Sequence, residues 1–400
     1  MSRHRYRYGF VFAVAAALCG CSHSPAQSVE KTANAAPPDV VPHSRDANDV
    51  GRFIAGLPGT DGSPFAKLEA TPAWVEHRRL LDEVWHKAEG PLIGGLQEFQ
   101  KQELNDSVLQ TSPVFYPFGG PDALTLTLCF PKSPTYVMVA LEPAGTLPTP
   151  SQFERKKDTS KYLAEIRDTV DSELTRSFFV TRQMDRQFRG QVTDGLLLPI
   201  LHLLVRLNNT VLGFRYVRLD EHGQVIDRAA DYKAPTRFGN KGFEIEFRAD
   251  SDQSTHKLYY FSVNLSDERL RENTPFLDYV AGRKGTTTLL KATSYMTHRP
   301  EFSLIRDQIL ANSAAILQDD SGIPYRYFQT AAWKTQLYGD YQRPYGSFRW
   351  LEQPDLRKAY EGSGTKPLAL RVSYGYSKTA SNLLLSRQAS LTPHPATSVE

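Results

Sequence analysis

Tyr136-Val137-Met138-Val139-Ala140-Leu141 is apolar at every position. Successive residues of a strand point to opposite sides, so a run without polar alternation predicts a central strand of a sheet covered by helices on at least one side. Pro131-Lys132-Ser133-Pro134 makes the turn that precedes it. Further upstream, Leu124, Leu126, Leu128 and Phe130 alternate with Thr125, Thr127 and Cys129. That period of two predicts a strand with one buried face, the other carrying the hydroxyls and the thiol.

Helical patterns surround these strands. Trp74, Leu81, Val84, Trp85 and Ala88 share one face, and Gly90-Pro91 predicts a stop before a second helix carrying Leu92, Leu96 and Phe99, so residues 71–105 read as a helical hairpin. Tyr162, Ile166, Val170, Leu174 and Phe178 recur every fourth residue in a charged helix over 155–188. Leu196–Leu207 is apolar all round but too short to span a bilayer, which predicts a buried helix bent at Pro199. Hairpin signals at Asp220-Glu221-His222-Gly223 and at 249–255 predict a second, antiparallel sheet, with 286–295 as its third strand. A last strong helix is expected from Pro300 to Leu317, ended by Asp319-Asp320-Ser321-Gly322. Short strands at 324–328, 335–341 and 367–376, and a helix at 354–361, complete the reading. The fold class is α+β, with mixed or antiparallel sheets packed against several amphipathic helices.

The amino terminus has a separate logic. Arg3, Arg5 and Arg7 precede an apolar run from Phe10 to Leu18, and Leu18-Cys19-Gly20-Cys21 follows. The run is far shorter than the ~20 residues a spanning helix needs. Charge, apolar length and the small-residue ending together resemble a bacterial lipoprotein signal peptide with its lipobox. The resemblance implies removal of residues 1–20, attachment of lipid to the Cys21 thiol, and acylation of the new amino terminus by a chain such as palmitate. With Ser22 after the lipidated cysteine, it also implies a cell-envelope location, at the outer membrane facing the periplasm. Residues 21–50 read as a lipidated cysteine and flexible tether, with an average reach of roughly 30 Å. The body divides into an N-terminal α/β part, 51–208, and a C-terminal α+β part, 209–388, which could form one continuous domain. Residues 389–400 read as a disordered tail.

Composition excludes some classes. Lys and Arg total 47 against 44 Asp and Glu in 400 residues, a net charge of +3 without a basic block, so nucleic acid is not an expected partner. With Cys19 lost and Cys21 lipidated, Cys129 is the only thiol left, and no internal disulfide can form. It reads as a packing residue. There is no G-x-S-x-G elbow, and Ser363-Gly364-Thr365-Lys366 lies in a glycine-rich loop, unlike the helical S-x-x-K of penicillin-binding enzymes. His77, His86, His202, His222, His256 and His298 make no metal-ligand spacing. His202 reads as a core histidine with backbone partners. Neither a metal nor a cofactor is expected.

Two segments stand out. Phe115-Tyr116-Pro117-Phe118-Gly119-Gly120-Pro121-Asp122 packs aromatics, glycines, prolines and an acid together before the central strand. Its rings could bind a sugar, a peptide or a partner surface, with Tyr116, Phe118 and Asp122 as candidate binding residues, or the loop could plug the sheet edge. Glu142, in Leu141-Glu142-Pro143, could join Asp122 as a catalytic acid pair. Gln318-Asp319-Asp320-Ser321-Gly322-Ile323-Pro324-Tyr325-Arg326-Tyr327-Phe328 sets two acids at what reads as the unfavourable end of a helix dipole. With these blocks the body resembles uncharacterised bacterial secreted proteins and lipoproteins, a resemblance that implies no reaction. The expected function is that of a lipid-anchored envelope lipoprotein binding an envelope component, a glycan or a protein partner. The alternatives are an envelope hydrolase using Asp122 and Glu142, and a structural or assembly lipoprotein. Whether the chain is an enzyme stays open at this point.

Overall fold

The computed structural model describes residues 44–154, 159–176, 194–229, 240–370 and 381–389. Cys21 and residues 1–43, the helix residues beyond Arg176, the expected strand residues 371–376 and the tail from 390 lie outside them.

The central strand forms as its composition requires. It is β2 (Thr135–Ala140), paired in parallel with β1 (Val114–Pro117) on one side and β6 (Thr255–Ser262) on the other. On the far side of β1 come β7 (Thr286–Leu290) and β8 (Ser313–Gln318), also parallel. Antiparallel strands extend both edges of this core. On the β6 side are β5 (Lys241–Ala249), β3 (Asn209–Leu219) and β4 (Val225–Asp227); on the β8 side are β10 (Asn382–Gln388) and β9 (Trp333–Gly339). The result is a mixed ten-stranded sheet among the described residues, ordered β4-β3-β5-β6-β2-β1-β7-β8-β10-β9.

Helices cover both faces, which explains the missing alternation in β2. Tyr136, Met138 and Ala140 join the larger core, beneath α1 (Ser44–Ile54), α3 (Pro72–Ala88), α4 (Gly95–Glu103), α6 (Ala123–Cys129), α8 (Thr159–Arg176) and α9 (Leu197–Arg206). The short α2 (Ala66–Glu69), α5 (Ser107–Thr111) and α7 (Pro150–Glu154) lie between these in the chain. Val137 and Val139 join a second core beneath α10 (Asp267–Glu272), α11 (Thr274–Ala281) and α12 (Ser303–Asn312). A last helix, α13 (Pro354–Tyr360), packs Leu356 against Leu337 and Leu384. No described helix is long and apolar enough to cross a membrane.

Several expectations are corrected. Residues 124–130 are not a strand: Asp122 caps α6, whose first five residues are all buried. With every side enclosed, the leucine–threonine alternation carries no facial information, and Thr127 satisfies its hydroxyl on the Ala123 carbonyl at 2.8 Å. Gly90-Pro91 does not stop the helix. A wider π-helical turn, Glu89–Gly94, carries the chain from α3 into α4 and absorbs the proline, which has no N–H to donate. The helix from Pro300 ends at Asn312, and Ala314, Ala315, Ile316 and Leu317 form β8, enclosed between β7 and β10. Residues 325–328 make a 3-10 turn rather than a strand. The two sheets are one, since β2 pairs with β6 across the expected boundary at 208, and β7 sits between β1 and β8 rather than in the hairpin sheet. Residues 44–50, expected to belong to a flexible tether, instead open α1, which begins at Ser44 and buries Ala47, Val50, Phe53 and Ile54.

Cys129 closes α6 at 1% exposure. Burial pushes its thiol up to about 12, with nearby Asp122 pushing the same way and Lys291 opposing. The thiolate is the reactive form, so alkylation of Cys129 by iodoacetamide at pH 8 should be about a thousandfold slower in the native protein than in urea. Peptide mass spectrometry of timed aliquots measures this, and comparable native and denatured rates would contradict the placement.

Candidate functional site

The five parallel strands run in the order β6-β2-β1-β7-β8, and their connections diverge at the centre. The chain leaves β1 through α6, on the larger-core face, and steps one way to β2. From β7 it leaves for α12, on the opposite face, and steps the other way to β8. Loops at the carboxyl ends of β1 and β7 therefore part to opposite sides. Open α/β sheets bind their ligands in the crevice outside such a switch point.

The β1 loop is the aromatic segment. Tyr116 is fully buried, and its hydroxyl donates to Asp122 Oδ2 at 2.9 Å. Gly119 folds over the Tyr116 ring so closely that a Cβ there would lie 2.5 Å from Cζ. Tyr116 thus shapes the floor of the loop and presents no ring to solvent. Phe118, half-buried with φ at 65°, packs edge-on against Phe302. Asp122 Oδ1 accepts from the Thr125 amide at 2.9 Å as the cap of α6.

What completes the site comes from β7. Lys291 follows its last residue and places Nζ 2.5 Å from Asp122 Oδ2, with the two side chains 3% and 1% exposed. The same Nζ donates to Thr125 Oγ1 at 2.7 Å. Beside it, Ala292, Ser294 and Tyr295 have φ of 52°, 54° and 54°, a left-handed run rare for residues with side chains. Hydrogen bonds from β8 hold it. The Ala292 amide donates to Asp319 Oδ2 at 2.9 Å, the Thr293 amide to Ser321 Oγ at 2.8 Å, and Tyr295 OH to Asp320 Oδ2 at 2.6 Å.

The acidic pair therefore stands at the end of strand β8, where no helix dipole acts. Asp319 also accepts from the Ser321 amide, and Asp320 from Asn382 Nδ2 at 3.1 Å. Burial pushes both carboxyls up; the adjacent Asp319 adds to the effect on Asp320, which reaches about 7. Glu142, also buried, follows β2, and its backbone carbonyl accepts from Tyr260 OH. Asp122, Glu142, Lys291 and Asp319 thus occupy the carboxyl ends of four adjacent parallel strands. Asp122 is committed to Lys291, Tyr116 and the α6 cap, which gives it a positioning role.

His202 and His77 serve packing away from this edge. His202, fully buried, accepts from the Trp85 indole N–H at 3.2 Å and also interacts with the Ile54 backbone, the kind of partner expected of a core histidine. His77 bonds the Ile54 carbonyl, and burial lowers it to about 4. Among the described residues no group of three or more His, Cys, Asp or Glu could hold a metal ion. Sequence reasoning missed Lys291 altogether: a lone lysine after Leu289-Leu290 carries no signal until β7 lies beside β1.

Asp320 makes a pH prediction. The folded state keeps its proton up to about pH 7, whereas the unfolded chain releases it near 3.8, so this group makes stability fall as pH rises between those values. His77 and His298, both lowered to about 4, act in the opposite sense between pH 4 and 6.5. Asp320→Asn should remove the falling contribution, so that the variant gains on the wild type by on the order of 2–4 kcal/mol from pH 4 to 7. Urea unfolding at several pH values measures the gap, and parallel curves would refute it. Comparison with known proteins finds no matching family model, curated protein or solved structure.

Proposed function

We propose that the chain is a lipid-anchored envelope protein whose body binds an envelope component at the carboxyl edge of its parallel strands. The observation that carries the binding reading is the buried Asp122–Lys291 pair at the switch point, in contact with Tyr116 and Thr125. A buried ion pair is weak evidence for stability, because desolvating two charges offsets their attraction. Here the pair sits where strand connections diverge, next to backbone held in a costly conformation. Costly geometry and buried charge together favour a site organised for recognition. The anchor rests on the lipobox at Leu18–Cys21.

Each half of the proposal has its own test. Cys21→Ser should abolish lipid labelling, and mature protein from the mutant should move from the membrane pellet to the salt-soluble fraction; mature protein that stays with the membrane through salt extraction is not anchored at Cys21. For the site, Lys291→Met alone should cost about 3–5 kcal/mol, because it strands a buried carboxylate. Combined with Asp122→Asn it should restore most of that stability. Envelope components that co-purify with the native lipidated protein should nevertheless be lost from the double variant, as quantified by mass spectrometry against melting temperature. Retention of the same companions by a stably folded double variant would overturn the binding reading.

A further inference from the structure

We propose that His298, Arg306 and Arg326 form a recognition site for a phosphate group at the carboxyl ends of β7 and β8. The proposal rests on the reading of that edge as the ligand-binding face and names the chemistry of the ligand. The three residues come from three consecutive pieces of chain. His298 ends the turn Met296–His298 after β7, Arg306 lies in the crossover helix α12, and Arg326 lies in the turn Tyr325–Phe328 after β8.

Both arginines act electrostatically on the His298 ring, and both lie near the Tyr327 ring. The guanidinium carbons of Arg306 and Arg326 lie 4.8 and 5.1 Å from the centre of one ring, that of Tyr327. Arg326 is exposed and has no carboxylate within ion-pair distance among the described residues. Arg306 is buried, and its Nη1 donates to the Thr297 carbonyl at 3.1 Å. Among the described residues its Nε has no hydrogen-bond acceptor, and its one ion pair is with the exposed Asp307, at 3.5 Å. A nearly buried guanidinium paired only with an exposed carboxylate at 3.5 Å is weakly compensated, and so is a cation with no carboxylate in reach. An anion held by both would complete their compensation.

His298 narrows the anion to a class. Its Nε2 is buried and has no hydrogen-bond partner among the described residues, while its ring stands edge-on to Tyr295, 5.1 Å away. The carbonyls of Gly322 and Asp320 near the ring favour its protonated form, whereas burial, Arg326 and Arg306 outweigh them and keep the imidazole neutral. With its proton on Nδ1, the neutral ring offers Nε2 as an acceptor on the side of the molecule where Arg306 and Arg326 supply donors. An ionised carboxylate has only acceptors. A singly protonated phosphate or phosphate monoester has both, an O–H for Nε2 and charged oxygens for the guanidinium groups.

The test uses the full-length Cys21→Ser chain, so that the lipid anchor does not report binding to vesicles. Melting temperature is followed against inorganic phosphate and glycerol phosphate, with acetate and chloride at matched ionic strength as controls. Phosphate and its ester should raise the melting temperature with concentration while acetate does not. In Arg326→Ala, whose side chain is exposed, the apparent dissociation constant should rise about tenfold or more, with a comparable loss in His298→Gln and partial recovery in Arg326→Lys. Sedimentation with phosphatidylglycerol vesicles separates the sources: Arg326-dependent pelleting identifies a lipid headgroup, and its absence with protection by glycerol phosphate identifies a soluble ester. Equal protection by acetate, or undiminished phosphate protection in both Arg326→Ala and His298→Gln, would overturn the assignment. If phosphate fails while the Asp122/Lys291 double variant still sheds its companions, the ligand class is wrong and the binding edge stands.

Discussion

Asp122 and Lys291 lie 2.5 Å apart with almost no water around them, and each makes the other's position tolerable. A lysine ammonium at that depth without an anion would lose its charge or its place, and the same holds for the carboxylate. The pair joins the loop after β1 to the loop after β7, two strands that touch at only two registered positions. Around it the cap of α6, the hydroxyl of Tyr116 and that of Thr125 are drawn to one point. The carboxyl ends of the central strands are therefore tied by charge, whereas the rest of the sheet is held by apolar layers on both sides.

This division explains which parts of the molecule were legible in sequence. The strand Thr135–Ala140 could be read because burial on both faces removes polar alternation, and the buried helix Leu197–Arg206 because a short all-apolar run has few other fates. Residues 123–129 misled for a related reason: in a fully enclosed helix, Thr125 and Thr127 follow their internal partners and not a solvent face. Residues 300–318 merge a helix and a strand without a breaker, since Asn312-Ser313 marks the join only weakly. The candidate site was half legible. The unusual loops at 115–122 and 318–328 were visible by composition, but Lys291 bonds Thr125 across 166 positions of chain, and local pattern does not report such a pairing.

The left-handed stretch at Ala292, Ser294 and Tyr295 has a physical cost of roughly 1–2 kcal/mol for each residue that bears a Cβ. It persists because the loop after β8 supplies acceptors at fixed places: Asp319 for the Ala292 amide and Asp320 for the Tyr295 hydroxyl. Those carboxyls carry a cost of their own, since burial disfavours their charged forms. Two unfavourable features thus hold each other in place. Such an arrangement contributes little to stability, and a simpler turn would connect β7 to α12 at lower cost. Its effect is to aim the chain from Lys291 towards His298 along the carboxyl edge.

The same geometry relates the cations to the buried pair. α12 begins just after the strained turn and returns to β8, so Arg306 on that helix reaches back to the Thr297 carbonyl, while Arg326 approaches Tyr327 from the loop beyond β8. Thr297 in turn donates to the Gly322 carbonyl at 2.7 Å, tying the turn after β7 to the loop after β8. A ligand drawing Arg306 and Arg326 together would therefore pull on both loops that hold Asp319 and Asp320. It would not act on Asp122, whose partners already saturate it. The edge thus has two unequal parts: a fixed, charge-neutral floor at Asp122 and Lys291, and a rim where Arg306 pairs only with the exposed Asp307 and Arg326 has no carboxylate within ion-pair distance among the described residues.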